Sequence, residues 1–302
     1  MKKESTLVVL AYVGICAIWG TTWLAIKGSL LGMPPLAGAG VRFVIAGLVL
    51  YACALAFRFD LRRQAPPLHL VLVLAATMFG LNYALTYTAE TGLSSGLVAV
   101  LFGMTPFFVF AFAHFMTSER MDARTMSGAA LALAGVALIS LVGNVHGGLW
   151  FVVAAVGGAA SSGYATVYLK QHSAAEPLVT LPPAMLLAGA SLFAIGLAVE
   201  PIHWHRAIAP ATLSAIAYLA VCGSAIAFYL NHWLLQRVSS GVVGLSALII
   251  PVVAVFVGVA FGGEAFEARD IAGGLLVLAG VALAIVRRDQ RVPLLSRPQL
   301  AE

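Results

Sequence analysis

Charged side chains are scarce in this sequence. Of its 302 residues only 10% are Asp, Glu, Lys or Arg, whereas 61% are hydrophobic. A soluble domain of this length needs a more polar surface, so the composition excludes an ordinary soluble protein and favours a chain surrounded by lipid. Charge-poor stretches of about 20 residues, the length that crosses a bilayer as a helix, recur along the whole chain.

Cysteine and the residues of catalytic motifs are also sparse. The three cysteines, Cys16, Cys53 and Cys222, lie singly in apolar stretches and form no CxxC pair, which excludes a disulfide framework. The sequence contains no metalloprotease, serine-hydrolase or phosphate-loop signature, so no enzymatic activity and no cofactor or metal are expected. His203 and His205 in one loop give only a weak metal-binding pattern.

Acidic residues are missing from the middle of every apolar stretch. Glu90, Glu200 and Glu264 lie at the ends of such stretches. A proton relay through a mid-membrane carboxylate is therefore not expected. Any proton coupling would depend on His232 or His114, because imidazole titrates near neutral pH.

Ten apolar stretches predict an all-α integral membrane protein with ten transmembrane helices. The predicted spans are residues 7–26, 36–57, 68–89, 94–116, 125–143, 148–169, 177–199, 210–232, 239–261 and 269–286. Short loops rich in turn-forming and charged residues connect them, which leaves no room for a soluble domain. An even number of spans places both termini on the same side of the membrane.

The distribution of Lys and Arg predicts which side that is. If both termini are cytoplasmic, thirteen of the seventeen basic residues face the cytoplasm. Only Lys27, Arg206 and Arg269 then lie outside, and Arg42 lies within the second span. This asymmetry follows the positive-inside rule. It also explains the net charge of +5, so no nucleic-acid partner is expected.

The chain repeats itself at a constant spacing of 145 residues. LALAGVAL at 131–138 returns as LVLAGVAL at 276–283, and SSG at 94–96 returns at 239–241. The same offset relates Pro106 to Pro251, Glu119 to Glu264, Arg124 to Arg269 and Gly128 to Gly273. This register predicts two five-helix repeats, 7–143 and 144–286, between an N-terminal segment, 1–6, and a basic cytoplasmic tail, 287–302.

An odd number of helices in each repeat gives the two copies opposite orientations in the membrane. Inverted repeats are typical of secondary transporters, in which a site between the halves opens to each side in turn. Pro106 and Pro251 are predicted in mid-helix, where proline removes a backbone hydrogen bond, and are candidate gating hinges. A duplication that only builds a stable bundle, or a channel or receptor, remains an alternative.

Aromatic and polar residues within the spans are candidates for solute binding. Those selected are Trp19, Trp23, Arg42, Asn82, Tyr83, Tyr164, Tyr168, Asn231 and His232. The 145-residue offset relates Trp19 to Tyr164 and Trp23 to Tyr168. The two residues of each half are four positions apart, so they lie on one face of their helix. Alternatively, the aromatic residues belong to the belts at the membrane interfaces. The two Asn side chains alternatively form hydrogen bonds between helices. Arg42, which is costly to bury, would contact either structural partners or an anionic solute.

The chain resembles the EamA-type family of the drug/metabolite transporter superfamily. The resemblance is carried by WGTTWLAIK at 19–27, PPLAGAGVRFVIAG at 34–47, the two SSG…P…E blocks and the two AGVAL helices. It implies a ten-helix inverted-repeat carrier of a bacterial inner membrane, with helices 1–4 and 6–9 around the cavity. Trp19, Gly20, Lys27 and Arg42 fall on recurrent family positions, whereas Tyr164-Ala165 departs from the family's usual Trp-Ala.

These observations together predict an exporter of small amphipathic metabolites, amino acids or related compounds, that works by alternating access. A passive facilitator or channel for small polar solutes is the alternative. The expected partners are a small-molecule metabolite and the lipid bilayer, and the expected state is a monomer or a weak dimer.

Overall fold

The computed structural model describes residues 2–61, 64–117, 123–141, 148–172, 176–235, 237 and 246–285. Its helices are α1 (Lys2–Leu30), α2 (Pro35–Ala56), α3 (Leu68–Gly92), α4a (Ser95–Phe102), α4b (Thr105–Thr117), α5 (Ala123–Leu141), α6 (Leu149–His172), α7 (Pro177–Val199), α8 (Pro210–Leu234), α9 (Ser246–Gly262) and α10 (Ala268–Ile285). A single helical turn, Trp204–Ala207, precedes α8. Glu119, the second SSG at 239–241 and the tail 287–302 lie outside the described residues.

Within the described ranges, seven helical segments are long and apolar enough to cross a bilayer. They are α1, α2, α3, the α4a–α4b pair, α6, α7 and α8. Two shorter apolar helices, Ala123–Leu138 within α5 and Ser246–Gly262, accompany them. The predicted all-α membrane class is confirmed, since every described element is helical and most can span lipid. That ten helices cross the membrane stays a prediction.

Glycines bring two pairs of helices into close, antiparallel contact. A Cβ added to Gly128 would lie 2.5 Å from the carbonyl oxygen of Gly280, and one added to Gly135 would lie 2.5 Å from that of Gly273. Residues later in α5 thus contact residues earlier in α10, so the two helices are antiparallel. The same reversal occurs between α2 and α7, where Gly40 contacts Phe193. Small residues at these crossings let the backbones touch, which is how membrane helices commonly associate.

Contacts elsewhere set the direction of the remaining helices. α1 runs parallel to α9, with Gly20 against Val253, and antiparallel to α8, with Trp19 against Gly223. α3 runs antiparallel to α6, since Gly92 lies against Phe151 and Thr77 accepts a hydrogen bond from Ser161. The bundle therefore has an N-terminal face, where α1 begins, and an opposite face, where α1 ends and α2 begins.

Three helices depart from regular α geometry. α3 contains a π-helical segment, Leu74–Leu81, and α8 contains another, Val221–Ile226. Their last residues are 145 positions apart, the spacing of the sequence repeat. α4 is interrupted at Gly103 and Met104, between α4a and α4b. π segments are rare and frequently occur at functional sites, because they leave backbone carbonyls free for other partners.

Two glutamates cap helices at the opposite face. The Glu200 carboxylate accepts hydrogen bonds from the backbone N–H groups of Leu36 (2.8 Å) and Ala37 (2.9 Å) at the start of α2. The Glu264 carboxylate accepts from Ser95 (2.7 Å) and Gly96 (3.3 Å) at the start of α4a. Each cap satisfies N–H groups that lack a helical partner and places negative charge at a positive helix end.

The main apolar core joins helices from both halves of the chain. Phe43 of α2, Phe79 of α3 and Met185 of α7 are fully buried within it. Large apolar side chains on other helix faces are exposed, among them Leu55, Phe115 and Leu275. A soluble protein would bury such residues, so these outward faces fit contact with lipid acyl chains.

Candidate functional site

The Arg42 guanidinium lies in the interior, where α2, α3 and α8 meet. Arg42 is only 1% exposed. Its Nε donates to the hydroxyl of Ser224 (2.8 Å), its Nη2 to the carbonyl of Gly223 (3.3 Å) and its Nη1 to the phenol of Tyr87 (3.5 Å). One side chain of the first half of the chain therefore connects to the π segment of the second half.

The π segment of α8 makes this connection possible. The Gly223 carbonyl accepts hydrogen bonds from Arg42 and also from Nε1 of Trp19 (3.3 Å). Residue 223 has no room for a side chain, because an added Cβ would lie 2.6 Å from Cγ2 of Thr22. Glycine here allows α1 to approach the π segment closely enough for Trp19 to reach its backbone.

Aromatic rings surround the guanidinium. The Cζ atom of Arg42 lies 4.7 Å from the ring centre of Tyr83 and 5.3 Å from that of Phe43. The ring centres of Phe43 and Tyr83 are 4.6 Å apart, and those of Trp19 and Phe228 are 5.6 Å apart. We call Trp19, Arg42, Tyr83, Tyr87, Gly223, Ser224 and Phe228 the Arg42 cluster. It combines a cation, hydrogen-bonding groups and ring faces, which together suit an amphipathic solute.

Among the described residues, the hydrogen-bond partners of Arg42 are neutral. Within the described ranges, ion pairs join Arg269 to Glu267 and Asp270, and none involves Arg42. An Arg in the middle of a membrane helix costs about 2.5–3.5 kcal/mol on insertion scales. Two hydroxyl oxygens and a backbone carbonyl that accept its hydrogen bonds, together with ring faces, offset part of that cost. The charge itself is not neutralised by contact, so the cluster is suited to receive an anionic group.

A second aromatic group lies on α6 towards the N-terminal face. The rings of Tyr164 and Tyr168 stack with centres 6.0 Å apart, and Tyr168 stacks on His172 at 4.1 Å. His69 at the start of α3 contacts His172 at 5.6 Å. Phe112 of α4b meets Tyr164 at 5.4 Å. The sequence predicts that Tyr164 and Tyr168 bind solute together with Trp19 and Tyr83. In the structure, the two tyrosines form an aromatic group separate from the Arg42 cluster.

Trp23 and Asn82 form no hydrogen bond or ring contact with the Arg42 cluster among the described residues. Trp23 is buried against Phe102, with ring centres 5.4 Å apart, and its Nε1 has no hydrogen-bond partner among the described residues. Asn82 donates to the carbonyl of Met78 (3.0 Å) and accepts from Thr86 (3.3 Å), all on α3. These bonds stabilise the end of the π segment.

Asn231 and His232 lie on α8 beyond Phe228. Both are half-buried. Among the described residues, neither is joined to the Arg42 cluster or to Tyr164 by a hydrogen bond or a ring contact. A role for either residue in solute binding therefore stays a prediction.

The two candidate hinges differ in their setting. Pro251 lies inside α9, as expected. Pro106 is the second residue of α4b, directly after the break in α4, which corrects its expected position in mid-helix. Proline is well tolerated in a first helical turn, since the N–H it lacks has no partner there. A Cβ added to Gly103 would lie 3.4 Å from Cγ of Pro251 and 3.3 Å from the carbonyl of Ala247, so the break and the proline-containing helix cross closely.

Two hydrogen-bond partners of Arg42, Gly223 and Ser224, are not among the site residues that the sequence predicts. Gly223 and Ser224 carry no distinctive motif, and their importance depends on the π geometry of the backbone around them. The sequence predicts Glu90 at a span end, whereas α3 continues to Gly92 and Glu90 is fully buried. Lys27, whose ammonium group bonds to the backbone carbonyl of Glu90, is 63 residues away in the sequence, so no local pattern predicts this burial.

The described residues also line an apolar groove away from the Arg42 cluster. One groove of about 350 Å³ lies between α4b, α5 and α6, lined by apolar residues that include Phe108, Val136 and Val152. It offers no polar group to orient a solute. No cluster of three metal-ligating side chains occurs in the described part of the chain.

Comparison with known proteins places this architecture in a family. A family model described as the EamA-like transporter family matches residues 6–141 and, a second time, residues 149–286. The chain belongs to the EamA-like transporter family. The resemblance drawn from the sequence is thereby confirmed, and this EamA-family chain is a membrane transporter.

Several relatives carry descriptive names. "Uncharacterized inner membrane transporter YedA" of Escherichia coli strain K12 is 30% identical, covering 89% of this chain and 87% of its own. A "Probable amino-acid metabolite efflux pump" of Salmonella typhimurium strain LT2 is 27% identical, covering 96% and 99%. A solved crystal structure superimposes with a TM-score of 0.68 at 21% identity over 95% of this chain and 99% of that one. That likeness establishes the fold alone.

Proposed function

We propose that this EamA-family transporter exports small amphipathic metabolites, amino acids or related compounds, by alternating access between two inverted five-helix halves. The observation that carries the proposal is the Arg42 cluster. A buried guanidinium with neutral partners and adjacent ring faces is suited to the carboxylate and the apolar part of one small molecule. The efflux-pump name of the Salmonella relative points to the same solute class.

Three observations support the two inverted halves. The family model matches twice along the chain, at 6–141 and 149–286. The π segments of α3 and α8 end 145 residues apart. Two corresponding pairs of helices, α5 with α10 and α2 with α7, run antiparallel to each other. Inverted repeats of this kind allow a site between the halves to open to each side in turn.

We further propose that the N-terminal face is cytoplasmic and the opposite face is external, with ten spans in a bacterial inner membrane. The Lys and Arg distribution supports this orientation, and the YedA relative is named as an inner membrane protein. In this conformation the external side is held closed. Glu264 caps α4a, and a Cβ added to Gly262 of α9 would lie 2.7 Å from Leu24 of α1.

Export would begin with a solute entering from the cytoplasmic side and reaching the Arg42 cluster. Its carboxylate would replace Gly223 or Ser224 as a partner of the guanidinium, which would weaken the contact between α2 and α8. Trp19, Tyr83 and Phe228 would pack on its apolar part. A solute thereby favours one arrangement of the halves over the other, as a conformational transition requires.

The test compares the culture medium of a deletion strain and an overexpressing strain by metabolomics. We expect at least one amphipathic metabolite to accumulate outside overexpressing cells and to fall in the deletion strain. The metabolite so found is then measured in proteoliposomes that contain the purified full chain. Saturable flux with counterflow supports the carrier, whereas linear, non-saturating flux would identify a passive facilitator and reject alternating access.

A further inference from the structure

Two formally charged side chains are fully buried in the described part of the chain, and their surroundings differ. Arg42 uses three of its nitrogens in hydrogen bonds. Glu90, on α3 near the opposite face, is 0% exposed, and neither of its carboxyl oxygens has a hydrogen-bond partner. A buried acid without a partner is unusual, because buried polar groups are nearly always hydrogen-bonded.

The groups around Glu90 bond elsewhere. Lys27 of α1 donates to the backbone carbonyls of Glu90 (2.7 Å) and Leu93 (2.6 Å), and so holds the end of α3 instead of the Glu90 carboxyl group. The Glu264 carboxylate caps α4a. Tyr87, one turn earlier on α3, bonds to Arg42.

These residues are the titratable and charged groups that face Glu90. Lys27 and Arg42 act on it as positive charges and Glu264 as a negative charge, and Tyr87 adds a phenol. The two cations favour the carboxylate, whereas burial, the missing hydrogen bonds and the charge of Glu264 oppose it. An ionised carboxylate without hydrogen bonds in a water-free site is far more costly than the neutral acid.

We propose that Glu90 is a proton-binding site, and that the external side of the protein closes with one proton from the external solution bound to its carboxyl group. The inference rests on the proposed alternating-access function, in which the bound proton controls closure of the external side. The proton adds to one carboxyl oxygen on closure. It leaves when α1, α4a and α9 separate and water reaches Glu90. Closure is therefore favoured at low external pH and weakened as external pH rises.

The test measures how accessible α1 is at its contact with α9. The native cysteines are replaced by alanine, and a Leu24→Cys substitution places a thiol against Gly262. A Leu31→Cys chain supplies an exposed reference one residue beyond the end of α1, since Leu31 is 80% exposed. Because thiol reactivity itself depends on pH, the measured quantity is the labelling rate of the first chain divided by that of the second, with an impermeant maleimide added outside.

We expect this ratio to rise about threefold or more as external pH is raised from about 5.5 to about 8.5. A Glu90→Gln substitution, which mimics the neutral acid, should keep the ratio low at every pH. The matched control is Glu267→Gln, an exposed acid at the same face, which should leave the pH dependence unchanged. Exchanging sodium for potassium at constant pH should leave the ratio of labelling rates unchanged.

Three results would overturn the inference: a ratio that does not depend on pH, an unchanged pH dependence in the Glu90→Gln chain, or dependence on sodium instead of pH. If the Glu90→Gln chain does not fold, infrared spectroscopy of the unaltered protein decides. The C=O band of a protonated carboxylic acid must then be present at low pH and be lost in parallel with the rise in labelling. Saturable counterflow without pH-dependent labelling would reject the Glu90 site alone, whereas non-saturable flux would reject the transport mechanism.

Discussion

Two pairs of helices related by the 145-residue offset differ in how closely their members correspond. In α5 and α10 the contacts themselves correspond. An added Cβ on Gly135 would meet the Gly273 carbonyl and the Val277 N–H, and one on Gly280 would meet the matching groups, the Gly128 carbonyl and the Ala132 N–H. Here the two halves have equivalent backbone contacts.

α3 and α8 share their backbone irregularity but not their chemistry. The carbonyl of Gly223 in α8 accepts hydrogen bonds from Arg42 and Trp19. The corresponding residue of α3, Met78, accepts one from Asn82 of its own helix. A shared π geometry has therefore become a cation-binding position in one half and a self-contained helix in the other. We infer that α5 and α10 serve packing, whereas the divergence of α3 and α8 would create the proposed solute site.

Replacing Arg42 should have the largest effect on transport. In the Arg42→Gln chain we expect the counterflow rate to fall about tenfold to a hundredfold, equivalent to about 1.4–2.8 kcal/mol, because the charge that binds the carboxylate is lost. Arg42→Lys should restore part of the rate, since it keeps the charge but not the three-way hydrogen bonding. The matched control is Lys170→Gln, an exposed basic residue on α6. Equal rates in the Arg42→Gln and control chains would show that Arg42 only packs helices.

The equivalence of α5 and α10 predicts equal damage from two matched substitutions. Gly135→Ala and Gly280→Ala each force a methyl group against a backbone carbonyl, so each should lower the free energy of unfolding by about 1–3 kcal/mol. Thermal unfolding of the purified chain in detergent measures both. The solute preference of the folded fraction should not change. A large difference between the two variants would contradict the equivalence of these helices.

A glycine in each π segment should separate stability from transport. Gly223→Ala would press on Thr22 beside Arg42, whereas Gly80→Ala would press on the Ala75 carbonyl within α3. We expect Gly223→Ala to lower counterflow several-fold at a modest loss of stability, and Gly80→Ala to lower mainly the melting temperature. The reverse pattern would mean that the solute site lies on α3.

The smallest expected effect concerns two matched aromatic residues. Trp19→Phe removes one hydrogen bond between neutral groups, to the Gly223 carbonyl, worth about 1 kcal/mol. We therefore expect the half-saturation concentration for counterflow to rise several-fold. The matched substitution Tyr164→Phe keeps the ring that stacks on Tyr168. It should change the half-saturation concentration less than Trp19→Phe does. Equal changes in the two variants would argue that both halves contact the solute alike.

The course of the helices could be predicted from the sequence, because apolar length alone determines where a chain can cross lipid. The importance of Arg42 could also be predicted, since a charge within an apolar span must have partners. The partners of Arg42 could not be predicted from the sequence. Gly223 and Ser224 meet Arg42 only because α8 contains a π segment, and hydrophobic periodicity carries no signal for a single widened turn.

Glu90 shows a second limit of sequence interpretation. The span was expected to end at residue 89, which would have left Glu90 in a loop. Instead, Lys27 bonds to the carbonyls of Glu90 and Leu93, and α3 extends to Gly92. Such burial depends on a contact between helices more than 60 residues apart in sequence, and local patterns do not contain it. Pro106 is similar, because the break in α4 before it depends on close packing against α9.

The most direct test of the central claim, two oppositely oriented halves around one site, uses the matched residues Ala123 and Ala268. They begin α5 and α10 and are both exposed. In chains whose native cysteines are replaced, an impermeant thiol reagent added to intact cells should label Ala268→Cys and leave Ala123→Cys unlabelled, and inverted vesicles should give the opposite result. Labelling of both positions from the same side would contradict the inverted arrangement and the alternating-access mechanism built on it.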